Sequence, residues 1–415
     1  MSQAPSGAGA RGVCLGTCLP CVALGSASHH SPLTLRPTSL CWPSDSKQQV
    51  LSPATGLSSV REAVLNRPRA LNALTAEMIE SLARLYKTWD ANVAVSAIVL
   101  RGAGRGFCAG GDVKGLAMSG DHDAAAAFFR KEYRHDCSVA SLRAAHVAVL
   151  DGVTMGGGCG VSLHGAYRVA TENTKLAMPE CAIGLFPDVG GSWVLPRLSH
   201  NVGWYLGLTG VPINGAEALA VGAATHFVRS EDCARIDETI EHASSESLGD
   251  DHARRAMVGR AIDSLAVSPA EAGMEVKLDL EGIARCFGPG RSVEDTLKLL
   301  DVEDAAWAVS AAKRIRRGSP LSLRLTQAML EAGARAALLQ DCLTMEYRMV
   351  CRVVKEPDFK EGVRALLVDK DNNPTWMHAS LADIPLADVE RFFAPMERTE
   401  SELFASVDDA TPSKL

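Results

Sequence analysis

The chain has 415 residues, of which 47% are hydrophobic and 22% charged, and its formal net charge is -7. That balance can bury a large core with room for a second, smaller unit, while the negative charge excludes an overall positive field for nucleic acid or an anionic membrane surface. No apolar run approaches the roughly 18 residues needed to span a bilayer.

From Met1 to Ser44 there is no Asp or Glu; Arg11 and Arg36 are the only Lys or Arg, and Ser, Ala, Gly and Pro dominate. This resembles an organelle transit peptide and equally an unstructured extension or a misjudged start. Cys14, Cys18 and Cys21 have the C-x3-C-x2-C spacing of some iron-sulfur enzymes, yet the surrounding leader has no core-forming pattern to bury a cluster. We divide the chain into an extension at 1–48, an α/β core at 49–254, a helical C-terminal region at 255–398 and an exposed tail at 399–415.

In the core, the strand expected at Ala94–Leu100 ends at Arg101-Gly102, and that at His146–Leu150 ends at Asp151-Gly152. Each is followed by a Gly-rich turn and a helical pattern, an arrangement that aims backbone N–H groups at an anion or a polarised carbonyl. The segment before Val64 lacks a clean opening strand, since Leu51–Ser59 reads LSPATGLSS, so the first hairpin is expected to be deformed. After Arg254 two long amphipathic helices are expected, Val293–Ile315 and Leu321–Cys351, separated by Gly318-Ser319-Pro320. Cys108, Cys137, Cys159, Cys181, Cys233, Cys286, Cys342 and Cys351 show no pairing-like spacing and are expected as free thiols. The chain stops at Ser413, Lys414 and Leu415, the tripeptide read by the peroxisomal import receptor. There is no internal repeat and no fingerprint of a dinucleotide, P-loop or zinc site.

Three stretches carry chemistry. GRGFCAGGDV (Gly104–Val113) and DGVTMGGGCG (Asp151–Gly160) each place glycines after a strand. Singly, either is an ordinary tight turn; together they can supply one amide each to a single developing oxyanion. AMPECAIGLFPDVGG (Ala177–Gly191) holds Glu180 and Asp188 among apolar neighbours, which would desolvate a carboxyl and make it a stronger base or nucleophile. The plain alternative is that Glu180 caps a turn and Asp188 caps the segment after Pro187.

With LNRPRALNAL (Leu65–Leu74), these stretches resemble the crotonase superfamily over about Val64–Pro374. The resemblance implies an α/β fold, a ClpP-like spiral of ββα units with a mostly helical C-terminal part. It further implies an oxyanion hole from Gly111 and Gly157, and an acyl-CoA thioester as substrate. Enoyl-CoA hydratases of this family carry one catalytic Glu where this chain has Gly160 and another in the Pro-Glu stretch; a lone Glu180 followed by FPDVGG resembles instead the 3-hydroxyisobutyryl-CoA hydrolase branch. FRKEY (Phe129–Tyr133), TENTKLAMPE from Thr171, TMEYR (Thr344–Arg348) and DFKEGVRALLVDKD (Asp358–Asp371) agree with that branch.

The implied activity is hydrolysis of 3-hydroxyisobutyryl-CoA in valine breakdown, with Glu180 and Asp188 catalytic and Glu132, Gly157, Glu180 and Asp188 contacting substrate. From its own neighbours Glu132 reads as a solvated helix residue. No metal or cofactor is implied, because CoA arrives with the substrate; neither nucleic acid nor membrane is expected as a partner. An oligomer is possible. The C-terminal tripeptide points to the peroxisome, the leader to the mitochondrion.

Overall fold

The computed structural model describes residues 48–244, 250–396 and 402–404. The leader with Cys14, Cys18 and Cys21, and the Ser413-Lys414-Leu415 tail, lie outside the described residues. The eight cysteines from Cys108 to Cys351 form no disulfide among the described residues. No helix among the described residues is long and apolar enough to cross a membrane.

The strands are β1 (Val50–Leu51), β2 (Val60–Leu65), β3 (Ala97–Gly102), β4 (Gly106–Cys108), β5 (Ala145–Leu150), β6 (Val153–Met155), β7 (Tyr167–Ala170), β8 (Lys175–Ala177), β9 (Ile213–Asn214) and β10 (His226–Phe227). One sheet has the order β1-β2-β3-β5-β7-β10, the other β4-β6-β8-β9. Each turn of the chain thus gives a strand to the first sheet, bends sharply, and gives the next strand to the second, which is the spiral of ββα units that the resemblance implies. The bends need glycine. A Cβ at Gly102 would fall 2.4 Å from the Gly106 carbonyl oxygen, and one at Gly152, where φ is +114°, 2.5 Å from that of Arg105.

Strands buried on both faces read as continuous apolar runs, which is why β3 and β5 stand out in the sequence. Ile98, Leu100, Ala148 and Leu150 face the main core, whereas Val99, Val147 and Val149 face a second cluster. Helices α1 (Ala76–Asp90), α2 (Val113–Ser119), α3 (His122–Ser141) and α4 (Gly157–Leu163) alternate with the strands. After them come α5 (Gly191–Val194), α6 (Val202–Thr209), α7 (Gly215–Ala220), α8 (Ile236–Ser244) and α9 (Asp251–Asp263). Ile236 and Ile240 of α8, with Val258 and Ile262 of α9, complete the second cluster. The remainder is helical: α10 (Leu280–Cys286), α11 (Val293–Glu303), α12 (Ala306–Arg317), α13 (Pro320–Arg335), α14 (Leu339–Val353), α15 (Pro357–Val363) and α16 (Leu386–Phe393).

The boundaries differ from the sequence expectation where no breaker residue announces a turn. The first expected strand begins at Ala97 rather than Ala94, because the Ala94 amide donates to Asn92 Oδ1 and the Val95 amide to the Asn92 carbonyl, closing a turn. The expected helix Val293–Ile315 is two helices, divided at Asp304, which is left-handed (φ 48°). Leu321–Cys351 is likewise two, divided where Ala336 and Leu338 turn extended. The first hairpin is indeed short, with Val50 and Leu51 pairing only with Leu65 and Val64. Its connecting loop is pinned by Glu241 of α8, which accepts the Ser58 and Ser59 amides and hydroxyls at 2.6–2.9 Å.

A buried ion cluster ties the first sheet to α8. Arg101 of β3 donates to Glu62 of β2 and to Asp237 of α8, each at 2.9 Å, and all three side chains are at most 6% exposed. Arg101→Ala would strand two buried carboxylates, so a loss of about 3–5 kcal/mol is expected in denaturant unfolding; a loss below about 1 kcal/mol would contradict this burial.

Candidate active site

The site begins with glycine contacts. A Cβ at Gly158 would fall 2.3 Å from the Cys108 carbonyl oxygen, so only glycine lets α4 settle directly on β4. Gly156 precedes α4 at φ 48°, ψ -119°, a conformation hostile to any side chain, and leaves the Gly157 amide as the first N–H of the helix. On the facing segment Leu74 forms an isolated bridge with Gly111: the Leu74 amide donates to the Gly110 carbonyl and the Asp112 amide to the Leu74 carbonyl, both at 2.8 Å. In that ladder the Gly111 N–H points away from Leu74, toward α4. A Cβ at Gly157 would fall 3.1 Å from the Gly111 nitrogen, so the two amides are brought together. Among the described residues neither amide is given to a protein acceptor. Two converging N–H groups without an acceptor can receive one developing oxyanion.

Carboxyls occupy the space that the α4 glycines leave. Glu180 Oε1 lies 2.8 Å from where a Gly156 Cβ would be, Glu132 Oε1 2.4 Å from that of Gly157, and Asp136 Oδ2 2.6 Å from that of Gly160. Glu180 opens a short 3-10 turn, Glu180–Ile183, while Glu132 and Asp136 stand one turn apart on α3. Glu132 is therefore not the solvated residue its charged neighbours suggest: it is 2% exposed. Its spacing from Ala125, Phe128 and Phe129 puts it on the buried stripe of α3 with Tyr133, Asp136 and Val139. That periodicity would have revealed both Glu132 and Asp136, and Asp136 was missed.

Asp188 reaches the same place from the loop after Pro187. Its Oδ2 accepts from the Tyr133 hydroxyl at 2.7 Å, a partner that the FRKEY match did not single out. It does not cap the following segment through its side chain. The loop is bent at Val189 (φ 54°), a left-handed geometry that costs a β-branched residue about 1–2 kcal/mol. External bonds hold it: His164 Nε2 meets the Val189 carbonyl at 2.7 Å, and Glu346 of α14 accepts the Gly190 amide at 2.6 Å, the Ser192 amide at 2.8 Å and the Ser192 hydroxyl.

Burial and mutual repulsion govern the charges. Burial, then the charges of Asp188 and Glu132, holds the Glu180 carboxyl well above the usual range. Burial and Asp188 do the same to Glu132, and burial with Glu132, Asp188 and Glu346 to Asp136. Asp188 is pushed up to about 7 by burial, against the Tyr133 hydrogen bond. Among the described residues Glu132 Oε1, Glu180 Oε2 and both Asp136 oxygens have no hydrogen-bond partner. Buried acids with open oxygens beside two amides without acceptors can supply both a basic oxygen and a transferable proton to a carbonyl placed there.

Two surface clefts of about 590 and 630 Å³ contain none of these carboxyls: one runs between α1 and α3 past Tyr86 and His135, the other past Arg105 and Lys175. Chemistry, not cavity size, locates the site. Among the described residues no group of three or more His, Cys, Asp and Glu could hold a metal ion.

The family model described as enoyl-CoA hydratase/isomerase matches residues 60–393. A protein named 3-hydroxyisobutyryl-CoA hydrolase, mitochondrial, from Danio rerio is 39% identical over 345 residues, 82% of this chain and 88% of its own. The 3-hydroxyisobutyryl-CoA hydrolase 1 of Arabidopsis thaliana is 39% identical over 353 residues, 83% of this chain and 91% of its own. Among solved structures, a carnitinyl-CoA dehydratase from Mycobacterium thermoresistibile is similar at 36% identity and a TM-score of 0.73, covering 84% of this chain and 97% of its own.

The Asp188 environment sets a pH signature. Its carboxyl rises from 3.8 in the ordinary state to about 7 in the fold, so between those values the folded protein holds the extra proton and stability falls as pH rises. Asp188→Asn keeps the acceptor for Tyr133 but cannot ionise. Relative to wild type it should gain roughly 1–4 kcal/mol in denaturant unfolding between pH 4 and pH 8; a pH-independent difference would refute the assignment.

Proposed function

The chain belongs to the enoyl-CoA hydratase/isomerase family, the crotonases, and we propose that its reaction is the hydrolysis of 3-hydroxyisobutyryl-CoA to 3-hydroxyisobutyrate and free CoA. The observation that carries this reading is the buried Glu180 carboxyl, its Oε2 without a partner among the described residues, beside the Gly111 and Gly157 amides, with no side chain at position 160. A Cβ there would meet Asp136 Oδ2 at 2.6 Å and Val189 Cβ at 2.7 Å, so the fold has filled the place from which a hydratase would present its second glutamate. The names of the relatives from Danio rerio and Arabidopsis thaliana support the same activity.

In the mechanism, the two amides receive the thioester carbonyl oxygen and strengthen as it gains charge. Glu180 then acts in one of two ways. As nucleophile it attacks the carbonyl carbon, the C–S bond breaks, and the CoA thiolate takes a proton from Asp188. Water then adds to the resulting anhydride, returns a proton to Asp188 and releases the acid with Glu180 restored. As base it takes a proton from a water that attacks the thioester directly, and Asp188 again protonates the thiolate. A group pushed up to about 7 can give and take that proton near neutrality. Glu132, with one oxygen free, accepts from the 3-hydroxyl of the acyl group.

Of the two destination signals, the relatives' names favour the leader: those from Danio rerio and Gallus gallus are named mitochondrial. We read the mitochondrion as the destination and the C-terminal tripeptide as the competing peroxisomal one; a tag blocking Leu415 that leaves the protein's location unchanged supports this.

Thiol release from 3-hydroxyisobutyryl-CoA, followed with a thiol-reactive dye, should fall on the order of 10³-fold in Glu180→Gln. After single turnover in ¹⁸O-water, label on Glu180 establishes an anhydride opened at the Glu180 carbon, because the base route puts the oxygen only into the released acid. Absence of thiol release together with loss of enoyl absorbance from crotonyl-CoA would overturn the hydrolase reading in favour of hydration.

A further inference from the structure

The TMEYR run is part of the family resemblance, yet no step above uses it. In the structure it lies on α14, far along the chain from every glycine and carboxyl of the site. Glu346 within it is fully buried, and no ion pair among the described residues involves it. Such a group needs hydrogen-bond donors, and all three that it has come from one short loop: the Gly190 amide, the Ser192 amide and the Ser192 hydroxyl. This is the loop that carries Asp188 and bends through the left-handed Val189. The next residue on α14, Tyr347, sets its ring edge-on to Tyr133 with centroids 6.4 Å apart, and Tyr133 is the donor to Asp188. Consecutive helix residues diverge by about 100°, so Glu346 grips the loop while Tyr347 braces the helix opposite. One helix thus holds both partners of the Asp188–Tyr133 bond.

We propose that Glu346 is a positioning residue for the hydrolysis: by receiving the Gly190 and Ser192 amides it holds the strained Pro187–Ser192 loop in the shape that presents Asp188 to the thioester. The groups facing it are Asp188 from the loop, Tyr133 and Asp136 from α3, and Cys342 from its own helix. Burial pushes its carboxyl up to about 8, against the three bonds from Ser192 and Gly190. Those bonds favour the ionised form, since a neutral carboxyl must give one oxygen over to its own proton. The activity part of this proposal rests on the hydrolase reading; the loop part does not.

The test compares Glu346→Gln, Asp188→Asn and the double variant by thiol release from 3-hydroxyisobutyryl-CoA, alongside hydrogen exchange of the Gly190 and Ser192 amides. Glutamine keeps the volume but turns an NH2 toward a loop donor. We expect kcat to fall about 10²-fold, the scale of a small misplacement of a catalytic group, with KM moving less than about threefold. In the Asp188→Asn background the same change should add nothing, and both amides should exchange faster. Unchanged kcat, or effects that multiply in the double variant, would overturn the proposal. Should Glu346→Gln fail to fold, Ser192→Ala removes one bond only: a several-fold fall in kcat at constant KM supports the clamp, and an unchanged kcat refutes it. If wild type itself releases no thiol, the reaction reading falls, and exchange alone decides: faster Gly190 and Ser192 exchange in Glu346→Gln upholds the clamp, unchanged exchange removes it.

Discussion

Everything in the site depends on how closely α4 lies on β4. The contact at Gly158 against the Cys108 carbonyl has no room for a single methyl group. Because the helix sits that low, the Gly157 and Gly111 amides converge, and because its neighbours are also glycine, carboxyls enter the gaps beside them. A side chain at 156, 157 or 160 would displace Glu180, Glu132 or Asp136 respectively. The glycines thus act twice, as the means of backbone approach and as the empty volume in which the acids stand.

The acids cannot all be charged. Glu132, Asp136, Glu180, Asp188 and Glu346 are buried, and the charges among them raise one another's proton affinity. The hydrogen bonds sort them. Asp188 has Tyr133 and Glu346 has three loop donors, while Glu132, Glu180 and Asp136 have oxygens with none. In the empty site the groups with donors ionise first, so the proposed mechanism, with Glu180 ionised and Asp188 protonated, requires one proton to move from Glu180 to Asp188 as substrate binds. On the proposed roles, a hydroxyacyl thioester would bring what these oxygens lack: a hydroxyl for Glu132 and an electrophilic carbon for Glu180.

The sequence announces this site unevenly, for physical reasons. Glycine triplets after buried strands are visible because no other residue fits such corners, and the strands because burial on both faces leaves no polar interruption. Glu180 and Asp188 are visible because they interrupt an apolar stretch. Glu132 is hidden by Lys131 and Arg134, which lie on the other side of the same helix, and only its spacing from Phe128 and Phe129 betrays it. Helix ends at Asp304 and Ala336 are hidden because neither carries glycine or proline, the turns being imposed by packing. Glu346 is the least legible, since its meaning lies in a loop more than a hundred and fifty residues earlier, and pattern within one helix says nothing of a partner so distant.

That distance has a bearing on how the protein is made. Chains emerge from synthesis N-terminal end first and fold in part as they do. Eight of the ten described strands, the two amides and four of the five acids have all appeared by residue 192, yet the helix that grips the Asp188 loop arrives only with residues 339–353. A nascent chain therefore holds the parts of the reaction before it holds their arrangement. On the role proposed for Glu346, the placing of Asp188 waits until α14 has been made.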